Sequence, residues 1–163
     1  MTHATHDLMD RLDVLATLAD ENATLFPHAA PDHTLTLAAN LMTARAHAAI
    51  QAAFAGFLAP FGLTVVRYTF LRALYVAEAR QATVSQLSRR LGVTVTNVAK
   101  QVDWLEQQGW VVRAGTPQDR RVTYARLTEE GAQRLESLLP EVSAFIGTLW
   151  QDVPAEEQAQ ALR

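Results

Sequence analysis

Thr96, Asn97, Lys100 and Gln101 stand within six residues of one another. They are the side-chain types that exchange hydrogen bonds with base edges or hold a phosphate. An amide can bond bidentately to adenine, an ammonium meets a phosphate as a point charge, and a hydroxyl does either. At about 100° per residue, Thr96, Asn97 and Lys100 share one side of a helix with Trp104 and Gln107, and Gln101 sits at its border. Val95, Val98, Ala99, Val102 and Leu105 fall on the opposite, apolar side. A solvated helix face in an acidic protein ordinarily carries several carboxylates, but the first two turns here carry none. The stripe therefore suits a polyanion, with a plain solvated face as the alternative.

The flanking segments are those needed to present such a helix. Thr83 is placed to cap a helix through Val84, Leu87 and Leu91, and Gly92 to end it. Thr94 is placed to cap the second helix, which Gly109 stops. A strand over Trp110–Arg113, a turn at Gly115–Pro117, a tip at Gln118–Arg121 and a return strand over Val122–Leu127 then make a hairpin. A hairpin tipped with Arg120 and Arg121 beside a helix-turn-helix has the geometry of a winged helix. Its recognition helix would enter the major groove, and its guanidinium groups the adjacent minor groove. Thr96, Asn97, Lys100 and Gln101 are then candidates for base readout, with Thr94 nearer the backbone. Ser85, Arg89, Arg113, Arg120 and Arg121 are candidates for phosphate or minor-groove contacts. Asp119 either braces one of the tip arginines or caps the turn. Trp104 either stacks on sugar or base edges or packs on the wing or a neighbouring helix.

The chain has 163 residues and a net charge of −3, which looks wrong for a nucleic-acid binder until it is mapped. From Arg80 to Arg126 there are eight bases and three acids, a balance of +5, which leaves −8 for the rest. That asymmetry concentrates a positive footprint on one part of the molecule. With no cysteine, thiol redox sensing and cysteine metal sites are excluded, and the composition fits a reducing compartment. There is no run of about 18 apolar residues to span a membrane, and no basic-then-apolar start of the kind a signal peptide has. His3, His6, His28, His33 and His47 are irregularly spaced, without supporting carboxylates, and read as solvated histidines with no metal or other cofactor. Glycine-rich phosphate loops and nucleophile elbows are absent, which argues against an enzyme. A winged helix used only for protein interaction, without effector control, is the remaining alternative class.

The other segments read as helical. Thr5 to about Leu25 carries a stripe of Leu8, Leu12, Leu15 and Ala19, and Pro27 and Pro31 punctuate a linker after it. Thr36–Ala59 is alanine-rich and so apolar that burial on more than one side is expected. Pro60–Gly62 breaks the chain, and Thr64 caps a helix to about Ala79 with Val66, Phe70, Leu71 and Leu74 as its core face. Thr128 caps a long helix, with Glu129 and Glu130 favourably placed against its dipole. Leu135, Leu138, Leu139, Val142, Phe145, Ile146, Leu149 and Trp150 line that helix, and Pro140 should bend it. A final short helix follows from Asp152–Pro154 to Arg163.

Leu63–Thr64, Val84–Ser88, Val93–Thr96, Leu105–Val111, Pro117–Arg121 and Leu127–Gly131 together resemble the MarR (multiple antibiotic resistance regulator) family of winged-helix regulators. The resemblance implies a mainly α fold with a small β-hairpin. It also implies a DNA-binding domain over residues 63–127 and a helical dimerisation region over 36–62 and 128–163; the N-terminal arm and linker over 1–35 are extra to the basic family pattern. It further implies a cytoplasmic bacterial or archaeal homodimer on pseudo-palindromic double-stranded DNA, acting as a repressor and released by a small aromatic or phenolic ligand. By position Arg45, His47, Arg67, Tyr68 and Arg72 are the candidates to line the pocket for that ligand. Two departures stand out. Trp104 replaces a residue that is commonly basic or polar. The last helix is shorter than usual, so either the arm compensates or the chain is truncated.

Overall fold

The computed structural model describes residues 31–115 and 123–160, with Thr17, Asp20, Glu21 and Thr24. These four are helical, and Thr24 Oγ1 donates to the Asp20 carbonyl at 2.9 Å. The rest of the expected N-terminal helix and linker, with His3, His6 and His28, lies outside the described residues. So do the wing tip with Asp119, Arg120 and Arg121, and the chain end at Arg163.

The chain divides into two compact units, residues 1–53 and 54–163. Helix α1, Pro31–Leu58, starts in the first and ends in the second. It begins five residues earlier than expected. Pro31 was read as a linker residue, but proline suits the first turn of a helix, where its missing N–H would have no partner anyway. Every side chain from Leu41 to Ala53 is exposed, including Met42 and Ile50, so the expected burial on more than one side is not supplied among the described residues.

The second unit is ordered by a sequence of local stops and caps. A 3-10 turn, Ala59–Phe61, ends at Gly62, whose φ of 69° suits a residue without Cβ. Thr64 caps α2, Val65–Tyr75, accepting from the Arg67 N–H at 3.3 Å. Helix α2 is shorter than expected, and a second 3-10 turn, Glu78–Arg80, leads into β1, Gln81–Thr83, a strand not expected from the sequence. Helices α3, Val84–Leu91, and α4, Val95–Gln107, are capped by Thr83 and Thr94 and closed by Gly92 and the Gln108–Gly109 turn. Thr83 and Gln86 form a reciprocal capping box. Strands β2, Val111–Gly115, and β3, Thr123–Leu127, complete an antiparallel sheet of order β1-β3-β2. Val111 pairs with Leu127, and Ala82 with Ala125. Helix α5, Glu129–Trp150, and the short α6, Ala155–Gln160, close the chain.

The core of this unit joins Leu58, Leu63, Phe70, Leu71, Leu74, Leu87, Val98, Val102, Leu105, Val111 and Leu135. Beside it the aromatic rings cluster. Phe57 and Phe145 stack at 4.5 Å, and Tyr68 meets Phe54 edge-on at 5.3 Å. The expected core face of α2 is corrected at Val66. Tyr68 is buried in the core, whereas Val66 is 45% exposed. Periodicity places both near the border of the apolar stripe, and the neighbouring Phe54 ring decides which side is covered. Burial raises the Tyr68 pKa above its usual 10, with Arg72 acting in the opposite direction. No single helix among the described residues is long and apolar enough to cross a membrane.

Gly131, in the first turn of α5, lies tightly against the Trp110 backbone. A Cβ added there would lie 2.2 Å from the Trp110 carbonyl oxygen, a backbone atom with little freedom to retreat. Gly131→Ala is therefore expected to destabilise the fold by about 2 kcal/mol, the overpacking range, read as a lower urea midpoint at unchanged slope. A stability equal to wild type would show that the Trp110 backbone can yield.

Candidate nucleic-acid interface

Helix α4 is divided along its length. Its first turns are open, with Thr94, Val95, Thr96 and Lys100 all exposed. Ser85 and Arg89 are exposed on α3. Asn97 and Gln101 are half-buried, and the Gln101 Nε2 donates to the Asn97 Oδ1 at 3.3 Å, so each amide orients the other. Thr94 accepts from the Asn97 N–H at 3.2 Å, which fixes the start of the helix. Val95, assigned to the apolar side, is 53% exposed. It is the first residue of α4, where a core-side position on the helical wheel lies past the elements that would cover it. Sequence periodicity gives a direction but not the end of the neighbouring surface.

The second half of α4 is held. The Arg113 guanidinium on β2 pairs with Asp103 through Nη2, and its Nε lies 3.3 Å from Glu106 Oε2. The other Glu106 oxygen accepts from the Arg113 backbone N–H at 3.1 Å. Arg113, expected to face a phosphate, is thus turned onto the two acids of its own recognition helix. Those acids were the signal available in the sequence, because a strand that follows a helix after a tight turn runs back along it. Trp104 also faces inward. The Arg67 guanidinium lies over its ring, 3.5 Å from the centroid. Packing on a neighbouring helix is the alternative the structure realises for Trp104. The Arg120 and Arg121 candidates lie outside the described residues.

The five ligand candidates fall in both units. Arg45 and His47 are exposed in the first unit. In the second, Tyr68 is buried with Arg72 beside it, and Arg67 is committed to Trp104. Two cavities in this unit, of about 620 and 320 Å³, are lined by other residues. The larger runs along Ala77, Ala82, Leu87, Arg90 and Tyr124. Among the described residues no three His, Asp or Glu side chains converge as a metal site would require.

A helix-turn-helix followed by a hairpin on a three-stranded sheet defines a winged helix-turn-helix protein. Residues 61–122 match the model described as the MarR family. Over 114 residues the chain is 31% identical to the HTH-type transcriptional regulator PrsX of Escherichia coli, spanning 70% of this chain and 69% of that protein. Its fold is similar to AbsC, a MarR family transcriptional regulator from Streptomyces coelicolor, at a TM-score of 0.73 and 24% identity, over 83% of this chain and 90% of that one. It is also similar to a mutant MarR from E. coli complexed with operator DNA, at a TM-score of 0.70 and 21% identity, over 86% of this chain and 91% of that one. The chain belongs to the MarR family of transcriptional regulators.

The Arg113 brace gives a measurable coupling. Its partners are roughly half exposed, so solvent screens the pair, and a double-mutant cycle of Arg113→Ala with Glu106→Ala should return a coupling of about 0.5 kcal/mol. A coupling indistinguishable from zero in urea unfolding would reduce the contact to proximity without energy.

Proposed function

We propose that the chain binds pseudo-palindromic double-stranded DNA as a homodimer and represses the genes beside it. The carrying observation is the free first half of α4. Thr96 and Lys100 face solvent there, with exposed Ser85 and Arg89 on α3 and no carboxylate in the first turn. Thr96, Lys100 and the mutually oriented Asn97 and Gln101 would read bases in the major groove, with Thr94 toward the backbone. Exposed Val95 adds an apolar group suited to a thymine methyl. Ser85 and Arg89 would meet phosphates, and on the sequence reading Arg120 and Arg121 supply wing affinity. The operator-bound neighbour is consistent with this assignment.

Selection of bound fragments from genomic or randomised DNA tests the reading directly, and the absence of any enriched sequence would defeat it. On the selected operator, Asn97→Ala should narrow the gap between operator and random DNA, since a good amide–adenine pair discriminates by about 1–3 kcal/mol. Arg89→Ala should weaken both and, if both protomers lose a phosphate contact, flatten the log–log salt slope by roughly two units. Equal loss on both DNAs for Asn97→Ala would remove it from base readout.

Homodimerisation is supported by the apolar surface this chain leaves open, Ile146 and Trp150 on α5 and Leu41, Met42 and Ile50 on α1. A partner chain is the economical cover for apolar groups on two long helices. Light scattering at micromolar concentration should return twice the chain mass, and a monomer would contradict it. Relief by a small aromatic or phenolic ligand rests on the family resemblance. Arg45, His47, Arg67, Tyr68 and Arg72 are proposed to contribute, and release of operator on titration with benzoate-type anions tests it.

A further inference from the structure

Arg67 leaves an energetic question that packing does not answer. Its guanidinium lies over the Trp104 indole, with Cζ 3.5 Å from the ring centroid, and it links α2 to the recognition helix α4. Its Nε is buried and has no hydrogen-bond partner among the described residues. A buried donor without an acceptor is unfavourable, and a leucine or methionine would fill the same space without that penalty. What an apolar residue lacks is the directional attraction of a planar cation for the face of an indole. That attraction fixes where the ring lies, and so fixes the rotation and tilt of the helix carrying it.

The same half of α4 is gripped from another element. Arg113 on β2 holds Asp103 and Glu106, the residues on either side of Trp104 in the helix. Two arginines, one from α2 and one from β2, therefore clamp one short segment, and the helix projects from it toward exposed Thr96 and Lys100. At 1.5 Å per residue Thr96 stands about 12 Å from Trp104, so a tilt of about 5° at the clamp moves it by about 1 Å. Hydrogen bonds to base edges tolerate only about half that range in donor–acceptor distance.

We propose that Arg67 is a positioning residue for DNA recognition, acting through Trp104 to set the angle at which α4 presents Thr96, Asn97, Lys100 and Gln101. This rests on the DNA-binding reading above, and the test separates the two.

Operator and random DNA are titrated with the full-length wild type, Arg67→Met, Arg67→Lys, Trp104→Phe and the Arg67→Met/Trp104→Phe pair, each across a salt series and with a melting curve. Arg67→Met keeps the length and removes the cation. It should weaken operator binding at least tenfold, change random-DNA binding less than about twofold, and leave the salt slope unaltered, because Arg67 neutralises no phosphate. Arg67→Lys, a cation without the flat face, should fall between wild type and Met. Trp104→Phe should lose specificity on its own and little more in the pair. Where Arg67→Met does not fold, Arg67→Lys and Trp104→Phe read the same contact, and full operator preference in both would overturn the proposal. A slope reduced by roughly two units, with operator and random DNA weakened together, would make Arg67 a direct phosphate contact and overturn it. A lowered melting temperature with both affinities unchanged would make the stack merely structural and overturn it too. A wild type without operator preference would instead defeat the DNA-binding reading itself.

Discussion

The hydroxyl of Thr128 ties together the end of the recognition helix, the sheet and α5. It donates to the Gly109 carbonyl at 2.7 Å and accepts from the Gly131 N–H at 2.8 Å, while the Thr128 backbone N–H donates to the Trp110 carbonyl at 3.0 Å. Gly109 follows α4, Trp110 precedes β2, and Thr128 itself joins β3 to α5. A single N-cap thus fixes the base of the wing to the start of the long helix. The close approach this requires leaves no room for a side chain at residue 131. Trp110, buried beneath the junction, is covered by the Arg134 guanidinium at 3.9 Å from its ring. That residue also donates to the Gln108 carbonyl at 3.3 Å, so α5 holds the end of α4 at a second point.

From that junction the two halves of α4 acquire different tasks. Its acids, Asp103 and Glu106, stand only in the second half and are satisfied by Arg113 from the adjoining strand. Individually such half-exposed pairs contribute little to stability. Their consequence is geometric, because they remove negative charge from competition with a polyanion and fasten the wing strand to the helix it accompanies. The first half, free of acids, is left to project with its polar groups outward. A helix with its carboxylates in the opposite order would repel phosphate where it is open and lose its brace where it is held.

The signals legible in the sequence were those whose chemistry is local. Thr64, Thr83, Thr94 and Thr128 each cap the helix assigned to them, because capping needs only a hydroxyl and an N–H three residues on. Gly92 and Gly109 close helices through positive φ for a similarly local reason. The polar stripe of α4 and its MarR resemblance were also legible, as was the family assignment they carry. What was missed depends on partners distant in sequence. Val66 and Val95 were placed on the apolar side, but whether that side is covered is decided by other elements. Arg113 was read as a candidate phosphate or minor-groove contact and Arg67 as a candidate to line a ligand pocket, and their contacts with Asp103, Glu106 and Trp104 are tertiary. Strand β1 has three residues, too few for alternation to register.

That short strand also explains a strained turn. Ala79 and Arg80 have φ of 50° and 52°, a region that residues with a Cβ enter at the expense of about 1–2 kcal/mol each. The turn is held from α5. Arg80 pairs with Glu136 at 3.0 Å and lies over the Tyr75 ring, and the Tyr75 hydroxyl donates to the same carboxylate at 3.1 Å. That bond to Glu136 raises the Tyr75 pKa above its usual 10. With α2 ended at Tyr75, only a sharp reversal lets Gln81–Thr83 run antiparallel beside β3 and deliver Thr83 to the start of α3. The strain is therefore the local consequence of joining the helix-turn-helix to the sheet by so few residues. Glu136 offsets it from the same helix that Thr128 anchors to the wing.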